Sequence, residues 1–141
     1  MQPAPQFVLQ INSMHYLLKT EPSVYSFQQL IDDRETIWDG VTNAQALIHL
    51  RAMHKADKLV IYHTGDERRA AGTAHVLTAD AADPKVPLVR IAAGKAIAGS
   101  VTLARIKLSP LFAESPLVRQ GRLSVVPLTP EQYRALVSGA L

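Results

Sequence analysis

The segment Lys58–His63, "KLVIYH", constrains the fold more than any other. Four consecutive apolar or aromatic residues stand between polar ends, and a run this short, β-branched and aromatic, fits a strand. A polar stretch, "TGDERR", follows, and "AAGTAHVLT" returns. The spacing predicts a hairpin over residues 58–78 with a long tip.

Shorter segments flank it. "HYLLKT", His15 to Thr20, is a strand candidate that Pro22 ends. Ser26 is placed to cap a helix over "FQQLIDD", with Gln29 at the distance of a capping-box partner. "TIWDGVTN" reads as an extended piece turning at Asp39-Gly40. Asn43 can cap a helix, "AQALIHLRAM", whose Leu47, Leu50 and Met53 form one buried stripe. "VPLVRIAAG" predicts another strand, and Thr102 the start of a helix over "LARIKL". Pro110 and Pro116 punctuate a loop before a last strand, Arg122–Leu128. Thr129-Pro130-Glu131-Gln132 is a full helix start, with cap, proline at the first position and box partner. Short strands mixed with short helices predict an α+β domain with a small bent sheet or open barrel. A doubly wound parallel sheet fits less well, because helices and strands do not alternate regularly.

Composition limits the function classes. A chain of 141 residues suits one domain. Cysteine is absent, which excludes disulfides and thiolate metal sites and is compatible with a reducing compartment. No apolar run approaches the ~18 residues of a membrane span, and the N-terminus lacks a basic start and long apolar stretch. These features predict a soluble, cytoplasmic protein with no membrane partner. Residues 1–13 carry no charge and two prolines, so they read as a poorly ordered extension, with Met14 a possible native start before a single domain over 14–141. The net charge of +3 is unevenly spread. Residues 1–84 hold seven Lys/Arg and ten Asp/Glu, a net of −3, whereas residues 85–141 hold eight and two, a net of +6. That asymmetry permits a phosphate-attracting face, and equally an ordinary basic surface.

Catalytic and metal signals are sparse. His49 and His54 are five apart and share no helical face, while His63 and His75 lie on the two strands of the hairpin. No spacing supplies a third ligand, so no metal and no cofactor are expected. G-x-S-x-G, H-E-x-x-H and a glycine-rich phosphate loop are all missing. An enzyme acting here would need Asp39 or His63 as its acid–base group. The aromatic set Tyr16, Tyr25, Trp38 and Tyr62 sits near strand ends or turns, where such rings either pack the core or stack on a planar base.

Six blocks give a wider reading: "HYLLKTEPSVYSF", "WDGVTNAQALIHLRAM", "KADKLVIYHT", "GTAHVLTADAADP", "VTLARIK" and "LVRQGRLSVVPLT". In order and spacing they resemble the EVE domain family over residues 14 to about 137. The resemblance implies a PUA-like pseudobarrel, a small bent mixed sheet flanked by short helices. It also implies a non-enzymatic binding module that takes a modified base of DNA or RNA into an aromatic and polar pocket, as a monomer. A nucleoside sensor without nucleic-acid binding is the alternative. By position, the resemblance assigns the rim to Lys19, Thr20, Glu21 and Pro22. It assigns a wall to Trp38, Asp39, Gly40, Val41 and Asn43, closure to Tyr62 and His63, and the last edge to Arg122, Leu123 and Ser124. Stacking and edge-reading donors are what a base reader needs. Arg90, Lys95, Arg105, Lys107 and Arg119 would hold phosphates. The family usually carries tryptophan where Tyr16 stands, arginine at Thr42 and Leu47, and tyrosine at Ala82.

Overall fold

The computed structural model describes residues 14–141, so the expectations for residues 1–13 lie outside the described residues. Two neighbouring strands carry the buried apolar runs: β1 (His15–Thr20) and β3 (Lys58–His63). They pair in parallel, Leu17 opposite Val60 and Thr20 opposite His63. Tyr16, Leu17 and Leu18 are buried, as is every residue from Leu59 to His63. Consecutive burial means both faces are covered, which explains the apolar runs without alternation. β4 (Arg69–Asp80) returns antiparallel from β3, so the expected hairpin forms.

β5 (Leu88–Ala96) continues the antiparallel run, and the three-residue β2 (Glu35–Ile37) pairs with it at one edge. β6 (Val125–Leu128) joins β1 antiparallel at the other edge. The result is one mixed sheet of six strands in the order β2-β5-β4-β3-β1-β6. Register shifts at Ile61/Tyr62 and at two points between β4 and β5 are bulges, which bend a strand and increase its twist.

The helices start where the hydroxyl and amide residues predict. Ser26 caps α1 (Phe27–Asp33) by accepting from the Gln29 N–H. Only half of the expected box forms there, because the Gln29 amide turns to Asp33 instead. Asn43 caps α2 (Ala44–Arg51), which buries Leu50, while Met53 is buried just beyond its end and Leu47 only half-buried. Thr102 caps α3 (Leu103–Leu108). Pro110 and Pro116 do more than interrupt a loop: each opens a helical turn, a 3₁₀ turn at Pro110–Phe112 and α4 at Pro116–Arg119. Proline fits a first helical position, where its missing N–H has no partner to lose. At α5 (Pro130–Ser138) the whole box forms. No helix among the described residues is long and apolar enough to cross a membrane.

Candidate functional site

β1 ends at Thr20, and the chain turns at once. The Val24 and Tyr25 N–H groups both donate to the Glu21 carbonyl, and the Glu21 carboxylate accepts from Ser23 N–H at 2.8 Å. The Thr20 hydroxyl donates to the Tyr25 carbonyl at 2.6 Å. Gly65, in the β3–β4 tip, completes the turn. Its φ is +70°, and a Cβ there would run into the Glu21 carboxylate. The expected rim is therefore a closed hydrogen-bonded turn.

The opposite wall follows β2. Alternation turns Thr36 and Trp38 inward and leaves Glu35 and Ile37 exposed. The Trp38 N–H donates to Val89 at 2.8 Å, which extends the pairing with β5 by one residue. Gly40, at φ +76°, bends the chain past Asp39 toward the Asn43 cap. Between the walls lies an open cleft of about 530 Å³, lined by residues that include Lys19, Thr20, Glu21, Trp38, Asp39 and Ser124. Gly40 and Val41 also line it. Volumes of this order suit a small-molecule or nucleobase site.

Trp38 is both a core residue and a cleft-lining one. It is 7% exposed and meets Tyr25 edge-on, ring centres 6.2 Å apart. Lys19 also lines the cleft. Its ammonium donates to the Gly121 carbonyl at 2.8 Å and lies 5.9 Å from the Tyr62 ring centre. Burial holds it below the usual lysine range.

Other assigned residues lie elsewhere. Tyr62 and His63 do not close the cleft; both are buried, 3% and 5% exposed, because β3 is covered on both faces. His63 Nε2 accepts the Phe27 N–H at 3.0 Å, so its ring proton sits on Nδ1, 2.9 Å from Glu67 Oε1. Through these bonds His63 ties the first turn of α1 to the hairpin. The bond from His63 is also the main cause that holds the Glu67 carboxyl below its usual range. Pro22 is in the rim turn but off the lining. Asn43, Arg122 and Leu123 line a separate hollow of about 310 Å³, with Leu123 buried. His63 and His75 stand at opposite ends of the hairpin, His63 opposite Arg69 and His75 opposite Lys58. No group of three metal-ligating side chains occurs among the described residues.

The five proposed phosphate cations do not gather on one wall. Arg90 is the register partner of Ile37, a cleft residue, and is paired with Glu35 at 3.4 Å. Lys95 lies five residues further along β5, roughly 17 Å away at strand spacing. Arg105 donates to Ser100 at 2.6 Å, Lys107 is exposed on α3, and Arg119 pairs with Glu114 at 3.4 Å.

These elements and their spacing are shared. The EVE domain family model matches residues 14–138. The chain belongs to the EVE domain family. Solved EVE-like structures agree across the whole fold. Rpa0253 from Rhodopseudomonas palustris is 33% identical with a TM-score of 0.81, covering 91% of this chain and 94% of that one. A Pseudomonas putida protein is 33% identical with a TM-score of 0.80, over 90% and 99%. Human THYN1, solved in complex with DNA containing 5-methylcytosine, is 26% identical with a TM-score of 0.79, over 89% and 96%. No curated protein sequence matches. The α+β, PUA-like architecture expected from the sequence is the EVE architecture seen here.

Four lining residues escape the positional reading: Val24, Tyr25, Thr36 and Ile37. Tyr25 had a signal, as an aromatic beside the rim turn. The others follow only from the pairing of β2 with β5. The positions where this EVE chain departs from the usual residues all lie off the cleft lining: Tyr16, Thr42, Leu47 and Ala82.

Proposed function

We propose that this EVE domain is a non-enzymatic reader of a modified base in nucleic acid, and that the base enters the cleft between the Lys19–Tyr25 turn and the Thr36–Val41 segment. One observation carries the reading: Trp38 and Tyr25 line one cleft together with apolar side chains, the hydroxyls of Thr20, Thr36 and Ser124, the carboxylates of Glu21 and Asp39, and the Lys19 ammonium. Aromatic surface contributes roughly 1–3 kcal/mol per stacked base, and Thr20, Lys19 and Asp39 offer a donor and acceptor set for its edge. The complex of human THYN1 with 5-methylcytosine-containing DNA supports the same ligand class. So does the position of the family departures outside the lining. His63, the histidine an enzyme would have called on, is committed to Phe27 and Glu67 away from the cleft.

The test is binding of paired single-stranded oligonucleotides, identical but for one modified base, across a panel that includes 5-methylcytosine. The modified member binds more tightly, and binding weakens with salt. Equal or undetectable binding across the panel overturns the proposal. A second reading, a sensor of free nucleoside, is favoured by the scatter of the cations and by the carboxylates that hold Arg90 and Arg119. Nucleoside binding as tight as oligonucleotide binding selects it.

A further inference from the structure

The hollow beside the cleft is lined by Asn43, Gln45, Gln120, Gly121, Arg122 and Leu123. It shares its backbone with the cleft. Ser124 lines one and Leu123 the other, and Val41 and Asn43 stand on the two sides of Thr42. Lys19 bridges the two, its N–H donating to the Ser124 carbonyl and its ammonium to the Gly121 carbonyl. Their charges differ. The cleft lining holds two carboxylates, Glu21 and Asp39, against one ammonium, Lys19, whereas the hollow lining holds no acidic residue and one arginine.

We propose that this hollow seats the backbone phosphate next to the bound base, with Arg122 as its cation; the inference rests on the base-reading function above. A phosphate is repelled by the carboxylates of the cleft and drawn to the acid-free hollow. Arg122 is exposed and has no ion-pair partner among the described residues, unlike Arg119 three positions earlier, which is paired with Glu114. Its planar fork matches two phosphate oxygens at once. Asn43 Oδ1 already accepts the Ala46 N–H at 2.9 Å, which leaves its NH₂ group as a donor. The Gln120 amide, exposed on the same rim, adds another. Arg122 is thus moved from base recognition to strand recognition, and the hollow distinguishes a nucleotide in a strand from a free nucleoside.

The experiment uses 5-methyldeoxycytidine and a trinucleotide carrying 5-methylcytosine at its centre, titrated into the full chain, Arg122→Gln and Arg134→Gln. Arg134 is an equal-charge control on α5, paired with Glu131. Wild type binds the trinucleotide more tightly than the nucleoside. Arg122→Gln loses about tenfold of trinucleotide affinity at low salt and leaves nucleoside affinity unchanged, and its salt slope flattens by about one phosphate contact. Arg134→Gln changes neither. Arg122→Gln behaving like the control, or weakening both ligands equally, overturns the inference, as does a trinucleotide with no advantage in wild type. If wild type binds neither probe, the base reading fails for this modification, and the inference falls with it.

Discussion

The two walls of the cleft are built differently. Around Glu21 the chain closes on itself: a carbonyl takes two N–H groups, a carboxylate takes a third, and the Thr20 hydroxyl ties the turn to Tyr25. Across the cleft, the stretch from Asp39 to Thr42 is exposed or half-exposed irregular chain, anchored by Trp38 at one end and the Asn43 cap at the other. One wall is preorganised, and the other hangs between two anchors. A reader of one altered base gains from this division. In the proposed base reader the fixed turn holds polar groups in place at little ordering cost, while the facing segment relies on its two anchors.

Removing an anchor has the largest expected effect. Trp38→Ala deletes a buried indole and costs about 3–5 kcal/mol of stability, together with all preference for the modified base. Chemical denaturation and oligonucleotide binding measure the two losses separately. Trp38→Phe keeps the fold, so loss of the preference there isolates the contribution of the indole.

The glycines separate the walls next. Gly65→Ala forces a left-handed residue, about 1–2 kcal/mol, and pushes the Glu21 carboxylate off its bond to Ser23, about 1 kcal/mol more, which loosens the fixed turn. Gly40→Ala meets no atom within 4 Å, so only backbone strain of about 1 kcal/mol remains. Thermal unfolding checks the order. Equal losses would mean that the Glu21 turn is no tighter than the segment facing it.

The smallest effect is a titration. Burial raises all four tyrosines, Tyr16, Tyr25, Tyr62 and Tyr133, above the ordinary value of 10.0. At Tyr25 the hydrogen bond to Asp33 adds to burial. The folded state favours the neutral phenol, so this stability is fully present below the unfolded value near 10 and is lost as pH rises through the folded values. Tyrosinate absorbance in the native protein therefore develops above the range seen in denaturant. Tyr25→Phe removes the one tyrosine titration that reports on the cleft.

Local signals carried most of the fold. Caps at Ser26, Asn43, Thr102 and Thr129 act over three or four residues, so spacing alone exposes them. The parallel pairing of β1 with β3 joins segments about forty residues apart, and no local pattern encodes it. The lining of the candidate cleft was legible where a turn defined it, from Lys19 to Glu21 and from Trp38 to Val41. It failed at Tyr62 and His63 for a physical reason. When both faces of a strand are buried, alternation no longer says which face meets a cleft. Arg122 was placed by the resemblance, yet it lies in the turn before β6, where no strand alternation fixes its direction, and it lines the neighbouring hollow instead of the cleft.

The most direct test of the central claim is a titration of ¹⁵N-labelled protein with a short oligonucleotide carrying 5-methylcytosine, followed by amide chemical shifts. The account predicts shifts concentrated in residues 19–25 and 36–41, with weaker ones at 120–124, and much smaller changes with the unmodified strand. Shifts centred on α3 around Arg105 and Lys107, or identical for the two strands, would contradict it.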